Sequence, residues 1–385
     1  MLLVTLQRLM IKNPNFSRPS WAEINLNALE YNFKQIKHLI KKDTKVLVAV
    51  KANAYGHGAV PVAKRLKRLG VDYLGVASVD EGIELRKARI STPILVFVTA
   101  LSREVKDLVK YRLTSTVCSL ELAKALDREA FRQSTKACVH IKIDTGMGRL
   151  GIWHRESLDF IKKLVSLKNL NLEGIYTHFP SADSDKRFTN QQIEYFNDLI
   201  SKLDSLSIHI PLRHAANSMA TVSYRHAHLN LVRPGLMIYG LYPVPELRNR
   251  IRLKPVLSLK SKIVFLKKVP AGRSISYGRT HITAHPTVIA TLPIGYADGY
   301  NRVLSNKSLV LVESKRVPVV GRICMDQTMI DVGSIPDAKI GQEVVLIGRQ
   351  GRNRISAEEL AKIARTISYE IVCQISSRIP RLYLD

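Results

Sequence analysis

Between Thr44 and about Arg233 the chain alternates short apolar runs with amphipathic stretches. The apolar runs, each of strand length, are Val46–Val50, Tyr73–Ala77, Pro93–Phe97, Ser115–Cys118, Ala137–Ile143, Leu172–His178, Leu212–Ala216 and Leu229–Val232. Val60–Leu69, Glu81–Ala88, Leu120–Phe131, Glu156–Leu167 and Asn190–Leu203 lie between them and carry helical periodicity. This alternation over roughly 200 residues predicts an α/β chain with an N-terminal (β/α)8 TIM-type barrel, rather than an open doubly wound sheet. After about Lys254 the texture changes. Val256–Val269, Thr287–Leu292, Ser308–Val312, Val317–Val320 and Glu343–Gly348 are β-branched runs separated by Gly, Pro and Asn, which predict a C-terminal, mostly β domain. One late helix, Ser356 to Ile367, opens with Ser356 as its cap and Glu358 and Glu359 in its first turn. The expected division is an N-terminal extension at 1–17, a barrel domain at 18–254 whose first strand is free to join the other domain, and the β domain at 255–385.

A chain of 385 residues, 46% hydrophobic and 24% charged, has the length for two domains and the apolar content for a sizeable core. No stretch approaches the ~18 uninterrupted apolar residues that would span a bilayer, so no membrane partner is expected. Cys118, Cys138, Cys324 and Cys373 form no C-x-x-C pair and no metal-type cluster. Reduced thiols, a cytoplasmic setting and no metal follow from that pattern. The net charge of +27 raises the question of a nucleic-acid partner. The basic residues are spread over the whole length, however, and no aromatic–basic interleaving or recognition motif accompanies them. They read as a solvated surface that draws in anionic substrates, and nucleic acid is not expected. Met1–Ser17 lacks a sustained apolar core and a small-residue cleavage site, which argues against a signal peptide. An untidy extension, or a start at Met10, fits better.

In a barrel of this type chemistry gathers at the C-terminal ends of the strands. Lys51, Lys142, His178, Asn217 and Arg233 fall at or just past such ends. Lys51 closes one apolar run and opens Lys51-Ala52-Asn53-Ala54-Tyr55-Gly56-His57-Gly58. A lysine there is either solvated at a rim or held for its amine, which forms a Schiff base with a carbonyl once deprotonated. Tyr55 offers a hydroxyl to a phosphate, and Gly56 and Gly58 let the backbone approach a ligand. The segment Ile141 to Gly151 ends another strand in a glycine-rich loop. Its Arg149 has a planar fork suited to a carboxylate or phenolate; a turn with surface charges is the alternative. His214-Ala215-Ala216-Asn217-Ser218 and Val232-Arg233-Pro234-Gly235 bring hydroxyl, backbone N–H and guanidinium groups to adjacent strand ends. In the second domain Ser274–Gly278, Pro293–Tyr300 and Gly321–Gln327 read as loops, two of them with tyrosines flanked by glycine.

Together these segments resemble the alanine racemases. Ala49-Val50-Lys51-Ala52-Asn53-Ala54-Tyr55-Gly56-His57-Gly58 is similar to the family's pyridoxal-phosphate attachment signature. The Asp144–Gly151 run, the His178 run, Asn217-Ser218, Arg233-Pro234-Gly235, Tyr277, the Tyr296 run and Met325-Asp326 recur in the family's order, across about Arg18 to Arg381. The resemblance implies a pyridoxal 5'-phosphate enzyme that racemises L-alanine and D-alanine by a two-base mechanism, supplying D-alanine for peptidoglycan. It implies Lys51 as the cofactor lysine and the base for the D enantiomer. Tyr277, reaching in from the partner of a homodimer with shared active sites, is implied as the base for the L enantiomer. A tyrosine ordinarily titrates near ~10, and His178, in contact with Arg233, is its implied helper.

Arg233 is implied to face the pyridine nitrogen, where a guanidinium does not readily yield a proton. By the same resemblance Tyr55, Ser218, Gly235 and Leu236 hold the phosphate, with His178 and Asn217 also in the cofactor site. Arg149 and the Met325 backbone meet the substrate carboxylate, while Tyr296 and Asp326 support the entry. Lys142 matches a position often carbamylated, an unmodified lysine beside Asp144 being the alternative. There is one departure: Ser377 stands where many members carry a tyrosine touching the phosphate, so that contact is not carried over. Two other enzyme readings stay open, a broader racemase acting on serine or basic amino acids and a decarboxylase of related architecture. The family's non-catalytic pyridoxal-phosphate relatives generally lack a second domain.

Overall fold

The computed structural model describes residues 17–385. Of the expected extension at 1–17, all but Ser17 lies outside the described residues. The chain forms two units, one spanning Asn27–Lys254 and the other made of Pro255–Asp385 with the described residues up to Leu26.

The first strand, β1 (Ser20–Asn25), belongs to the second unit. Among the described residues the barrel of the first unit has eight parallel strands, β2 (Lys45–Ala49), β3 (Tyr73–Val76), β4 (Ile94–Val96), β5 (Thr114–Val117), β6 (Ala137–Asp144), β7 (Leu170–Tyr176), β8 (Leu212–His214) and β9 (Leu231–Val232), and a two-residue strand, Ile152–Trp153, pairs parallel with the end of β6 off this ring. Each pairs with the next from β2 to β8, and β9 returns to β2 with Leu231 opposite Lys45. Between β8 and β9 the ring is drawn together by Arg233 N donating to Ala216 O at 2.9 Å and Arg213 N donating to the Asn230 side chain at 2.8 Å. This is the expected (β/α)8 barrel, its strands within a few residues of the predicted runs.

The helices follow from their apolar spacing and caps. Ala59–Arg68 buries Ala59, Val62, Ala63 and Leu66, one face of a 3.6-residue period. Val79–Lys87 and Leu120–Arg132 start at Ser78 and Ser119, whose hydroxyls accept from Glu81 N and Leu122 N. The helix Leu26–Leu39 was not among the expected elements, because Asn32 sits at a core position of its pattern. Asn32 is fully buried, donating to Ile238 O at 3.0 Å and Lys254 O at 2.8 Å and accepting from Lys254 N at 2.7 Å. All three contacts satisfy a group that would otherwise be costly to bury. Inside the barrel, Leu47, Tyr73, Leu95, Leu212 and Leu231 pack with Phe97.

In the second unit β1 runs antiparallel to Leu257–Lys262 and parallel to Arg381–Leu384. That sheet continues through Glu343–Gln350 and Leu309–Val312 to Lys315–Pro318. A separate three-stranded sheet is built from Phe265–Val269, Thr287–Leu292 and Thr328–Asp331. The single run expected at Val256–Val269 therefore divides. Ile263 N bonds to Gln342 O while Val264 N bonds to Thr291 O, so neighbouring residues enter different sheets. The late helix also divides. Ala357–Ala364 is capped by Ser356 as expected, but Arg365 turns left-handed at φ 56° and a second helix, Ser368–Cys373, follows.

Gly299, at φ +98°, lies against the backbone carbonyl of Gln374, which an added Cβ would overlap. Gly272, at φ +77°, has open space around it. Gly299→Ala is expected to lower unfolding free energy by roughly 2–3 kcal/mol and Gly272→Ala by about 1 kcal/mol, as read by urea denaturation. Equal losses would mean that the Gln374 contact gives way easily.

Candidate active site

Lys51 follows Val50, whose N–H bonds to Gly75 O at 2.8 Å and so anchors the end of β2 on the end of β3. The next four residues, Ala52, Asn53, Ala54 and Tyr55, have φ of 50°, 53°, 54° and 54°. A left-handed turn of non-glycine residues costs roughly 1–2 kcal/mol per residue, so it persists only where neighbours hold it. Several do. Ala54 N bonds to Val50 O, Gly56 N to Ala52 O and Gly58 N to Asn53 O. The Asn53 side chain accepts from Ala59 N at 2.7 Å. Glu81 accepts from Ala52 N at 2.7 Å through one oxygen and from Ala77 N at 2.6 Å through the other. The sequence predicts a strand-to-helix loop here and a helix beginning at Glu81; neither the handedness nor the clamp has a compositional signal.

Tyr55, Ser218, Gly235 and Leu236 come together just beyond. The Tyr55 ring lies 4.9 Å from that of Tyr239, whose hydroxyl donates to Ala49 O at 2.8 Å. The Tyr55 hydroxyl sits where a Cβ on Gly235 would be only 2.7 Å away, so only glycine leaves this space open. Gly235 N donates to Ser218 Oγ at 2.9 Å, and Leu236 is buried beside it. Asn217 caps the helix Ser218–Ser223 by accepting from Ala220 N at 3.0 Å, and its amide donates to Phe179 O at 3.4 Å.

The barrel mouth carries a concentration of positive charge. Arg233 is 6% exposed. It donates to His214 Nδ1 at 2.9 Å, Thr177 O at 2.7 Å, Ala215 O at 2.9 Å and His178 Nδ1 at 3.3 Å. Its guanidinium and the Lys142 amine each lie 5.2 Å from the Tyr176 ring centre, and that ring stacks on His214 at 4.7 Å. Burial brings Arg233 down to about 10, still protonated at neutral pH. Lys142 is also buried, its amine donating to Ile143 O at 2.9 Å. Burial, and then the charge on Arg233, pull it down to about 7. Burial and the charges of Arg233, Lys142, Arg149 and Lys51 hold His178 well below its ordinary range, so it stays neutral. Asp144 spends its carboxylate on the N–H groups of Gly146, Met147 and Gly148, which shapes the Arg149 loop.

In the second unit the three expected loops interlock. Ser276, at φ 64°, donates from its hydroxyl to Arg322 O at 2.6 Å. Tyr296 N bonds to Cys324 O and Ala297 N to Met325 O. Gly295 packs against the same carbonyls so closely that a Cβ would overlap them. Tyr277, Tyr296 and Met325 thus stand on one loop cluster, 69%, 41% and 53% exposed. Asp298 was missed by sequence reading. It is fully buried, pairs with Arg18 at 2.7 Å and Arg378 at 3.4 Å, and accepts from Gly295 N at 3.0 Å. Arg378 also holds Asp326 at 2.6 Å, while its neighbour Ser377 is exposed.

Among the described residues, no group of three or more His, Cys, Asp or Glu could hold a metal ion, and no helix is long and apolar enough to cross a membrane. All four cysteines are free thiols. Residues 24–243 match the family model for the alanine racemase N-terminal domain, and residues 256–383 match that for the C-terminal domain. An alanine racemase of Halothermothrix orenii is 50% identical over 372 residues, covering 96% of this chain and 98% of that protein. Among solved structures, alanine racemase of Clostridium difficile 630 superposes with a TM-score of 0.92 at 43% identity, covering 96% of this chain and 97% of its own. Alanine racemase of Bacillus anthracis, solved with bound L-Ala-P, gives 0.91 at 39% identity, covering 97% and 96%. The barrel with its cationic mouth and the β unit with its tyrosine-bearing loops are therefore the two domains of a known family: the chain belongs to the alanine racemases, which are amino-acid racemases and so isomerases.

Proposed function

We propose that this chain interconverts L-alanine and D-alanine with pyridoxal phosphate, Lys51 and Tyr277 acting as bases on opposite faces of the substrate Cα. The observation that carries this reading is Lys51 on a strained, multiply anchored turn, beside a hydroxyl-lined cradle that only Gly235 keeps open. The donor set fits the cofactor. Tyr55, Ser218 and the backbone at Gly235 and Leu236 suit a phosphate. The positive field of Arg233, Arg149, Lys142 and Lys51 favours an anion at the mouth. When bound, pyridoxal phosphate supplies a sink for the electron pair left on Cα when its proton departs.

The chain's own groups do the rest. Lys51 Nζ would hold the cofactor and, once released by substrate, take the α-proton of D-alanine and return it in the other direction. The Tyr277 hydroxyl would do the same for L-alanine. Its 69% exposure, beside Met325 at 53%, supports a reading in which this surface is offered to a second copy of the chain. Arg233 would face the pyridine nitrogen, keeping its own proton because guanidinium holds it more tightly than any neighbour. Arg149 and the Met325 N–H would orient the substrate carboxylate. His178, neutral and bonded to Arg233, is available to the tyrosine, and Tyr296 and Asp326 would line the approach. Lys142, an amine near neutrality beside cations, is suited to reversible addition of carbon dioxide, an N–C bond forming as one proton leaves. The resulting carbamate anion would orient Arg149. In the cell the product D-alanine would supply cytoplasmic peptidoglycan synthesis.

Purified enzyme with added pyridoxal phosphate is expected to racemise L-alanine and to lose that activity after borohydride reduction. Turnover of L-serine and L-lysine should be far slower; comparable turnover of L-lysine would sink the alanine assignment. Tyr277→Phe should keep the cofactor's visible absorbance yet lose most racemisation. Mixing it with inactive Lys51→Ala should restore part of the activity through mixed dimers, and an active monomer in sedimentation would contradict the shared site. With ¹³C-labelled carbon dioxide held at a fixed dissolved concentration, a carbamate resonance should grow as pH rises through about 7, where Lys142 loses its proton. The resonance should be absent from Lys142→Met; its persistence there would place the modification elsewhere.

A further inference from the structure

Below Arg233 a column of polar groups continues into the barrel, where a purely structural core would be apolar. His214, bonded through Nδ1 to Arg233, presents its Nε2 to His140 Nδ1 at 2.9 Å. His140 Nε2 in turn faces Glu173 Oε2 at 3.6 Å, just beyond hydrogen-bond length, where the carboxylate favours an N–H over a lone pair on that nitrogen. Both imidazoles are completely buried. Arg233 can only donate and an ionised Glu173 can only accept. Two neutral imidazoles between them have one consistent arrangement, with a proton on Nε2 of each and a lone pair on each Nδ1. We propose that Glu173 and His140 are positioning residues that fix the proton on His214 Nε2 and so keep the His214 Nδ1 lone pair on Arg233. The consequence for cofactor binding rests on the function proposed above; the proton assignment does not.

Three features show that the fold is arranged around this column. In the pairing of β6 with β7, Val139 stands opposite Leu172 and His140 opposite Gly174, so Glu173 is an extra residue in a β-bulge. Such a bulge re-aims one side chain without unmaking the rest of the ladder. Gly174 leaves the space the imidazole needs, since a Cβ there would lie 2.7 Å from three atoms of the His140 ring. Glu173 is fastened by further donors, Thr114 Oγ1 at 3.3 Å and the Tyr73 hydroxyl, and these with His140 hold its carboxyl below the ordinary range despite burial. Burial also lowers His140 and His214, which agrees with two neutral rings. Reversing either ring would set N–H against N–H in a place no water reaches.

The test is ¹⁵N NMR of the full-length protein labelled in histidine, with pyridoxal phosphate affinity measured in parallel. In the wild type His140 and His214 should both be Nε2–H tautomers; an Nδ1–H signal from either overturns the proposal. Glu173→Met should admit an Nδ1–H population on His214 and weaken cofactor binding by about tenfold, the cost of one unmade buried hydrogen bond. Glu173→Gln, whose amide oxygen still accepts, should restore the wild-type tautomers and an affinity close to that of the wild type. Unchanged tautomers and affinity in Glu173→Met overturn the proposal. Should that variant be too unstable, His140→Leu removes the acceptor from His214 Nε2–H, and an unchanged cofactor affinity there overturns it equally. Failure of the function itself would show differently, as a wild type that binds no cofactor while its tautomer pattern stands.

Discussion

A guanidinium buried without a carboxylate partner governs the first unit. Taking a charge out of water costs several kcal/mol even after the protein relaxes, and a salt bridge is the usual remedy. Among the described residues Arg233 has none; its acceptors are carbonyl oxygens at Thr177 and Ala215 and ring nitrogens at His214 and His178. Neutral acceptors can serve a cation only if they stay neutral. Both histidines therefore give up their protonated forms, and Lys142 is drawn toward neutrality as well. Among these competing bases arginine keeps its proton because its intrinsic affinity is greatest. The result is a fixed positive charge on Arg233, held by neutral acceptors.

Much of this architecture was legible along the chain, and the limits have physical reasons. Parallel strands buried on both faces write themselves as unbroken apolar runs, so the eight strands could be found within a few residues. Lys51, His178 and Arg233 were visible because they interrupt or follow such runs. His140 and Glu173 were not, because they lie inside runs that still look apolar overall, and their role depends on a bulge that periodicity cannot register. Asn32 hid a helix for a related reason: a satisfied buried amide reads as a polar break in the pattern. Glu81 and Asp298 each join a nearby backbone N–H, at Ala77 and Gly295, to partners far off in sequence, the Ala52 N–H for one and Arg18 and Arg378 for the other, and no local spacing encodes the distant half. The left-handed turn at Ala52–Tyr55 is the least legible of all, since its residues favour the opposite hand.

The second unit solves a different problem, that of presenting side chains from loops without letting them wander. Its tyrosine- and methionine-bearing segments have little regular secondary structure, yet their backbones bond to one another through Cys324 and Met325. Glycine at 295 allows that approach, and Asp298 locks the turn after it through Arg18 and Arg378. Large side chains can then remain exposed while the chain beneath them is fixed. Order is supplied by backbone contacts, leaving the side chains available for binding.

The bulge at Glu173 has a consequence for how β7 can change. A strand has two phases, and the inserted residue moves the chain from one to the other partway along. Leu170 and Leu172 follow one phase opposite Ala137 and Val139, while Gly174 and Tyr176 follow the other opposite His140 and Lys142. Deleting Glu173 would leave Leu172 opposite Val139 and Gly174 and Tyr176 opposite His140 and Lys142, a regular ladder with its hydrogen bonds almost intact. Residues opposite one another in a ladder share a face, so Tyr176 would stay on the side of Lys142 and His214. Only the carboxylate that faces His140 would be gone. The extra residue is carried for its side chain alone, and the sheet would be more regular without it.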